Sequence, residues 1–264
     1  MCTLTLAWQV FPTDPVVVAA NRDEQRDRPS EPPSRWDESG DPEIVAPRDT
    51  RAGGTWIGYN DAGLFVGITN RWVDAPAPER SRGLLVADAL NEPDARSAAR
   101  LVEGAVERHD YDGFNLVVAD RTAAFLFEWD GSLRVTQLEP GVHIVVNSGA
   151  ALGGGGAVLD AFLTPEDPER AERASEQAAN ARAVRGALTP EPGEDADAWL
   201  DRAATVLADH DYGVCIHEDG YGTRSSSLVR LGREATTYRF APGPPCETAY
   251  DPVAVGDAPD ESQV

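Results

Sequence analysis

Two apolar runs near the start decide the fold: Met1-Cys2-Thr3-Leu4-Thr5-Leu6-Ala7-Trp8-Gln9-Val10-Phe11, then Pro15-Val16-Val17-Val18-Ala19-Ala20, which leads into the polar run Asn21-Arg22-Asp23-Glu24. Both runs are short and rich in β-branched or large apolar residues, and a Pro-containing turn separates them, so residues 3–11 and 15–20 read as strands. Paired as a hairpin, the end of the second strand lies beside the start of the first. That geometry brings residues 21–24 next to Cys2.

Working outward, residues 25–50 form a Pro- and charge-rich loop, and residues 55–69 read as a hairpin turning at Asn60-Asp61-Ala62-Gly63. Residues 83–108 read as helical, with Asp94 an N-cap after Pro93. Strands follow at 114–119, 123–129, 132–138 and 142–147, then a Gly-rich loop at 150–156. Segments 166–187 and 195–209 read as helices, and strands return at 213–217, 225–231 and 236–240. The order strands, helices, strands, helices, strands predicts an α+β domain over 1–241, with two stacked antiparallel sheets and helices on the outer faces. Residues 242–264 read as a Pro-rich, acidic tail, partly extended or frayed.

The chain of 264 residues carries 45 Asp and Glu against 23 basic residues, every one of them Arg, for a formal charge of -22. Such a surface repels itself in dilute buffer, but molar salt shortens the Debye length to about 3 Å and screens the repulsion. The composition therefore points to a salt-rich cytoplasm, and it argues against nucleic acid as a partner because phosphates would be repelled. No apolar run is long enough to span a membrane, and no basic-then-apolar leader opens the chain, so a cytoplasmic location is expected. The cysteines Cys2, Cys215 and Cys246 are odd in number and suggest no disulfide framework. The histidines His109, His143, His210 and His217 show no metal-ligand spacing, so no metal site is expected.

By position alone Cys2 is a small cysteine opening a strand. Removal of Met1 would give it a free α-amine with an ordinary pKa near 7.7–8.0, and a thiol and amine on one residue form a nucleophile–base pair. Asp23 would then orient that amine, and Arg22 would lower the thiol pKa or bind a substrate carboxylate. Asn70 and Asn147 each follow an apolar strand and read either as closing turns or as oxyanion donors. Arg224 is either an exposed ion-pairing residue or faces the same site. The run Asp49-Thr50-Arg51-Ala52-Gly53-Gly54-Thr55-Trp56 reads as a substrate loop, with Arg51 and Trp56 as contacts and a Gly pair permitting close backbone approach.

Several of these runs together carry a resemblance. Met1-Cys2-Thr3-Leu4, Ala20-Asn21-Arg22-Asp23-Glu24, Arg51-Ala52-Gly53-Gly54-Thr55-Trp56, Thr69-Asn70-Arg71, Phe114-Asn115-Leu116, Val146-Asn147-Ser148 and Tyr221-Gly222-Thr223-Arg224-Ser225-Ser226 occur in order over residues 1 to about 240 and resemble the NRDE family of transport and Golgi organisation 2 proteins. Only the tail and an acidic insert around 164–195 lie outside the pattern. That family is similar to N-terminal nucleophile hydrolases of the choloylglycine and penicillin V acylase type. The resemblance implies a four-layer αββα sandwich and a halophilic archaeal member. It also implies a catalytic set of Cys2, Asp23, Asn70, Asn147 and Arg224, with Arg22, Arg51 and Trp56 toward substrate. In those amidases Arg precedes Asn in an Arg-Asn-x-Asp run, whereas here Arg22 follows Asn21.

Two functions follow from these residues. In the first, Cys2 attacks a C–N amide bond of a small acyl-amide substrate and no cofactor is needed. In the second, the same fold carries haem or an acyl lipid without chemistry, in keeping with the family's association with lipid homeostasis and haem trafficking. Haem would then use Cys2, Cys215 or a histidine such as His143, since Met1 is the sole methionine.

Overall fold

The structure, a computed structural model, describes residues 2–36, 42–73, 78–155 and 157–254, apart from the side chains of 157 and 158. The opening hairpin is present as β1 (Thr3–Trp8) and β2 (Val16–Gln25), with Thr3 opposite Asn21 and Trp8 opposite Val16. The second strand runs beyond residue 20, so Asn21-Arg22-Asp23-Glu24 is strand rather than turn. Its far edge is held by a later strand that pairs with it as far as Gln25.

Residues 25–50, read as loop, contain β3 (Ser30–Arg35) and β4 (Ile44–Asp49). Pro32 and Pro33 fall at the register shift between Glu31 and Ser34 on a sheet-edge strand, where a missing N–H breaks no ladder. The expected hairpin is β5 (Ile57–Asn60) and β6 (Phe65–Asn70), with Gly63 at φ 85° in the turn. The segment expected to be helical over 83–108 holds two helices, α1 (Arg82–Leu90) and α2 (Ala95–Arg108), with the break at the expected N-cap. Asp94 caps the second by accepting from Ser97 N at 2.7 Å.

Next come β7 (Phe114–Ala119), β8 (Ala124–Trp129), β9 (Leu133–Gln137) and β10 (Gly141–Val146). Much of the expected Gly-rich loop is strand. It forms β11 (Gly149–Gly154), paired with β12 (Ala157–Phe162), and Gly149 takes φ 139° where a Cβ would collide with the Ala161 carbonyl. The helices α3 (Pro168–Ala187) and α4 (Ala196–Ala208) are capped by Asp167 and Asp195. A short 3-10 turn (His210–Tyr212) leads to β13 (His217–Glu218), β14 (Tyr221–Leu231), β15 (Thr236–Ala241) and β16 (Asp251–Pro252). The described part of the tail is extended rather than frayed and docks as far as Val253: β16 pairs with β15, Val253 N donates to the Tyr238 carbonyl at 2.8 Å, and the Tyr250 hydroxyl meets Ser226 Oγ at 2.7 Å. Met1 and residues 255–264 lie outside the described residues.

One sheet has the order β12-β11-β10-β1-β2-β14-β15-β16, with β13 on β14, and the other is the meander β3 to β9. Every pairing is antiparallel. Period-two alternation then assigns the faces. Leu4, Leu6, Val16, Val18, Val117 and Val145 fill the space between the sheets. Val17, Ala19, Ile144 and Val146 point the other way, onto Trp199 and Leu200 of α4. Leu116 and Val118 point away from the first sheet onto Leu85 and Leu90 of α1 and Val102 of α2. Three buried cores between four layers make this an αββα sandwich. Among the described residues no helix is long and apolar enough to cross a membrane.

Candidate functional site

The β1–β2 register places Thr3 against Asn21, so Cys2 stands at the end of β1 beside Arg22 and Asp23. Its Sγ lies 3.6 Å from the Asp23 carbonyl oxygen, and its backbone N–H donates to Asn147 Oδ1 at 2.7 Å. The thiol is pushed above its ordinary pKa chiefly by burial, against the pull of the N-terminal ammonium and Arg22. In this state Cys2 is a neutral thiol that needs a base.

Asp23 is buried at the β2–β14 pairing, opposite Thr223. Thr223 Oγ1 donates to its Oδ1 at 2.5 Å, and Tyr221 Oη donates to its carbonyl at 3.1 Å. Burial raises the carboxyl from 3.8 to about 6, partly offset by the N-terminal ammonium and the Thr223 hydroxyl. The neighbouring Asn21 does a different job: its Nδ2 donates to the carbonyls of Leu207 and Val214 at 2.9 Å each, tying β2 to the end of α4.

Arg22 turns toward the other sheet, where its guanidinium lies 4.1 Å from the centre of the Trp56 ring and 3.8 Å from Glu24. Both line a small void of about 20 Å³ at Cys2 and a polar cleft of about 360 Å³ that continues outward. A wider cleft of about 680 Å³ follows, sharing Asn70, Arg82 and Asp112 with the first and lined also by Arg71, Trp72 and Tyr221. In a chain of charge -22 this wider cleft carries Arg71, Arg82, Arg170 and Arg173 against Asp112, Glu176 and Glu218.

Asn70 is exposed at the end of β6 and lines both clefts. Asn147 is buried in the β10–β11 turn, and its Nδ2 donates to the Asn70 carbonyl at 2.8 Å. Gln177 of α3 closes the arrangement by donating to Asn147 Oδ1 at 3.3 Å and accepting from Ser148 N at 2.7 Å. Beneath Asn70, Asn115 donates to Thr69 Oγ1 and to the Val146 carbonyl, and accepts from Arg71 Nη1 at 2.8 Å. Arg71 in turn pairs with the buried Glu128 at 2.9 Å. Thus the Thr69-Asn70-Arg71, Phe114-Asn115-Leu116 and Val146-Asn147-Ser148 runs meet in one buried polar network across the two sheets.

Sequence reasoning missed Gln177, Thr223, Tyr221 and Glu128. Gln177 was legible only as a lone amide on the Ala-rich face of α3, in a segment set aside as an insert. Glu128 was legible as a carboxylate inside an apolar strand.

One expected site residue stands apart. Arg51 is exposed on a turn whose amides bond Asp49 Oδ1, and it lines neither cleft. The Gly pair of that loop serves the protein itself: a Cβ on Gly54 would collide with Gly83 of α1, and Thr55 N donates to the Gly83 carbonyl at 3.1 Å. Arg224 is the bulged residue of β14, between Thr223 opposite Asp23 and Ser225 opposite Arg22, and its buried Nε has no hydrogen-bond partner among the described residues.

Comparison with known proteins agrees with this arrangement. The family model "Transport and Golgi organisation 2" matches residues 1–240. The chain belongs to this family. Its relatives include the bovine transport and Golgi organization protein 2 homolog, 27% identical over 81% of both chains. The mouse homolog is 37% identical over 40% of this chain and 38% of its own length. The human homolog is 36% identical over 41% of this chain and 40% of its own. Penicillin V acylase from Agrobacterium tumefaciens superposes with a TM-score of 0.55 at 14% identity, covering 91% of this chain and 83% of that one. A variant of conjugated bile acid hydrolase from Clostridium perfringens gives 0.55 at 13%, covering 96% and 92%. At these identities the likeness establishes the fold, that of the N-terminal nucleophile hydrolases.

Proposed function

We propose that this family member hydrolyses an acyl C–N amide bond with Cys2 as nucleophile once Met1 is removed, working in a salt-rich cytoplasm. The observation that carries the reading is the grip on Cys2: its backbone nitrogen is held by Asn147 Oδ1 at 2.7 Å while its sulfur stands at the inner end of a connected series of cavities. With Met1 gone, that nitrogen becomes an amine with an ordinary pKa near 7.7–8.0.

The neutral amine takes the thiol proton as sulfur attacks the amide carbon. In this reading the exposed Asn70 carboxamide and the second N–H of Asn147 serve as donors to the oxyanion. Collapse breaks the C–N bond, and the ammonium proton goes to the leaving nitrogen. Water, deprotonated by the same amine, then cleaves the thioester and releases the acid and the thiol. Asp23, with Thr223 on one oxygen, orients the ammonium through the cycle. The names of the solved neighbours, an acylase, a conjugated bile acid hydrolase and an N-acylethanolamine-hydrolyzing acid amidase ortholog, lend support.

A second reading, a carrier of haem or an acyl lipid, draws support from the wide cleft of about 680 Å³ beyond Cys2, which joins Trp72 and Val73 to arginines suited to carboxylates. His143 is a poor haem ligand because it is buried with Nε2 2.9 Å from the Glu139 carbonyl.

Intact mass establishes whether Met1 is absent. N-acyl amino acids and lactams are then screened at high salt with wild type and Cys2→Ala. Turnover lost in Cys2→Ala supports the hydrolase. Retained Met1, or no turnover together with saturable binding of haem or an acyl thioester, supports the carrier.

A further inference from the structure

Far along the chain, four side chains from separate segments converge. His210 opens the 3-10 turn, Cys215 precedes β13, His217 begins it, and Cys246 lies in the turn after β15. One ligand atom from each lies within 4.8 Å of all the others. Cys215 Sγ is 3.5 Å from Cys246 Sγ and 3.7 Å from His217 Nε2, and His217 Nε2 is 3.1 Å from Cys246 Sγ. We propose that His210, Cys215, His217 and Cys246 form a structural zinc site.

Three of the ligand atoms, on Cys215, His217 and Cys246, stand 3.1 to 3.7 Å apart, near the edges of a tetrahedral ion, and the His210 nitrogen lies within 4.8 Å of them. Zn–S bonds of about 2.3 Å and Zn–N bonds of about 2.0–2.1 Å give ligand-to-ligand edges of roughly 3.4 to 3.8 Å. Two thiolates and two neutral imidazoles are a donor set suited to zinc, and four protein ligands leave no open position, the mark of a structural rather than a catalytic ion. Binding releases the two thiol protons and leaves a neutral centre. Glu247 Oε1 lies 3.9 Å from His217 Nδ1, the ring nitrogen not directed at the sulfurs, so a small shift of this exposed side chain would supply the outer-shell hydrogen bond. A disulfide would need the sulfurs at about 2.05 Å and would leave both imidazoles unexplained.

The backbone is shaped to present these ligands. Gly213 adopts φ 61°, where a Cβ would collide with Asn180. Ile216, between two ligands, is clamped to β14 by its N–H on Thr223 Oγ1 and by Thr223 N on its carbonyl, both at 2.9 Å. Cys246 is held in a turn in which Glu247 N and Thr248 N both donate to the Pro244 carbonyl. The ion would staple the chain after β15 to the start of β14, one residue's reach from Asp23 through Thr223. The absence of metal-ligand spacing in the sequence is therefore misleading, because tertiary contact assembles this set.

The test uses the full, untagged, reduced chain at high salt, titrated with Co²⁺ and then Zn²⁺. One Co²⁺ per chain is expected, with thiolate-to-metal charge transfer and tetrahedral d–d bands that Zn²⁺ abolishes. The exposed ligands provide variants that leave the core intact, checked by circular dichroism. Since loss of an outer-shell partner alone weakens metal sites about 10–100-fold, His217→Gln and Cys246→Ser should each weaken binding at least about tenfold, while Cys2→Ala leaves it unchanged. Chelation should expose residues 242–254 to protease. An octahedral spectrum, no charge transfer, undiminished affinity in both variants, or a Cys215–Cys246 disulfide persisting in reducing buffer would overturn the assignment.

Discussion

Asp23→Asn isolates the electrostatic cost of the site. The variant keeps the shape of Asp23 and removes its charge. In the folded chain burial raises this carboxyl from 3.8 to about 6. A carboxyl raised in this way binds its proton more tightly in the native state than in the unfolded one. Its contribution to stability is therefore fully present below about pH 3.8 and is lost as pH rises through about 6. At 1.36 kcal/mol per pKa unit the gap corresponds to about 3 kcal/mol. Every other carboxylate is common to both proteins and cancels in the comparison. The stability of wild type minus that of Asp23→Asn should fall by about 2.4 kcal/mol between pH 4 and pH 7, most of that gap, measured by urea unfolding at constant high salt. Parallel curves across that window would refute the view that Asp23 is held in a costly, desolvated position. A difference rising with pH would mean that the ammonium and the Thr223 hydroxyl outweigh burial.

Two further substitutions probe the network beneath the site. Glu128→Gln leaves Arg71 buried without its 2.9 Å partner, and thermal or urea unfolding should report a loss of about 3 kcal/mol; the double change Arg71→Met with Glu128→Gln should cost less, and a single change milder than the double would contradict this. Asn147→Leu leaves the Cys2 and Gln177 N–H groups and the Asn70 carbonyl without their partner, which should cost about 2–4 kcal/mol and speed iodoacetamide labelling of Cys2, so an unchanged labelling rate would show that Asn147 does not hold Cys2 in place.

Elements whose residues alternate or recur regularly were legible without coordinates. The β1–β2 hairpin, the strands over 114–147, and helices α3 and α4 each satisfy local propensity and burial together. Misread segments follow one pattern. Pro32-Pro33, the Gly-rich β11 and the polar end of β2 look like loops because their local preference is for turns. They are strands because a neighbouring strand satisfies their backbone groups, and single-sequence periodicity does not reveal that neighbour.

The same division holds for the site. The sequence alone determined that Cys2 sits beside Arg22 and Asp23, because a hairpin is local and its register follows from alternation. It also marked Asn70 and Asn147 as strand-end amides. Only the tertiary structure decided what those groups do. Pairing β10 with β1 in one sheet brings Asn147 onto the Cys2 nitrogen across 145 positions of chain. Pairing β14 with β2 places Thr223 on Asp23 and leaves Arg224 in a bulge. Docking the chain after β15 carries Cys246 to Cys215 and two histidines. Each of these joins segments far apart in sequence, and the burial and hydrogen-bond partners that set a side chain's chemistry exist only once the layers have packed.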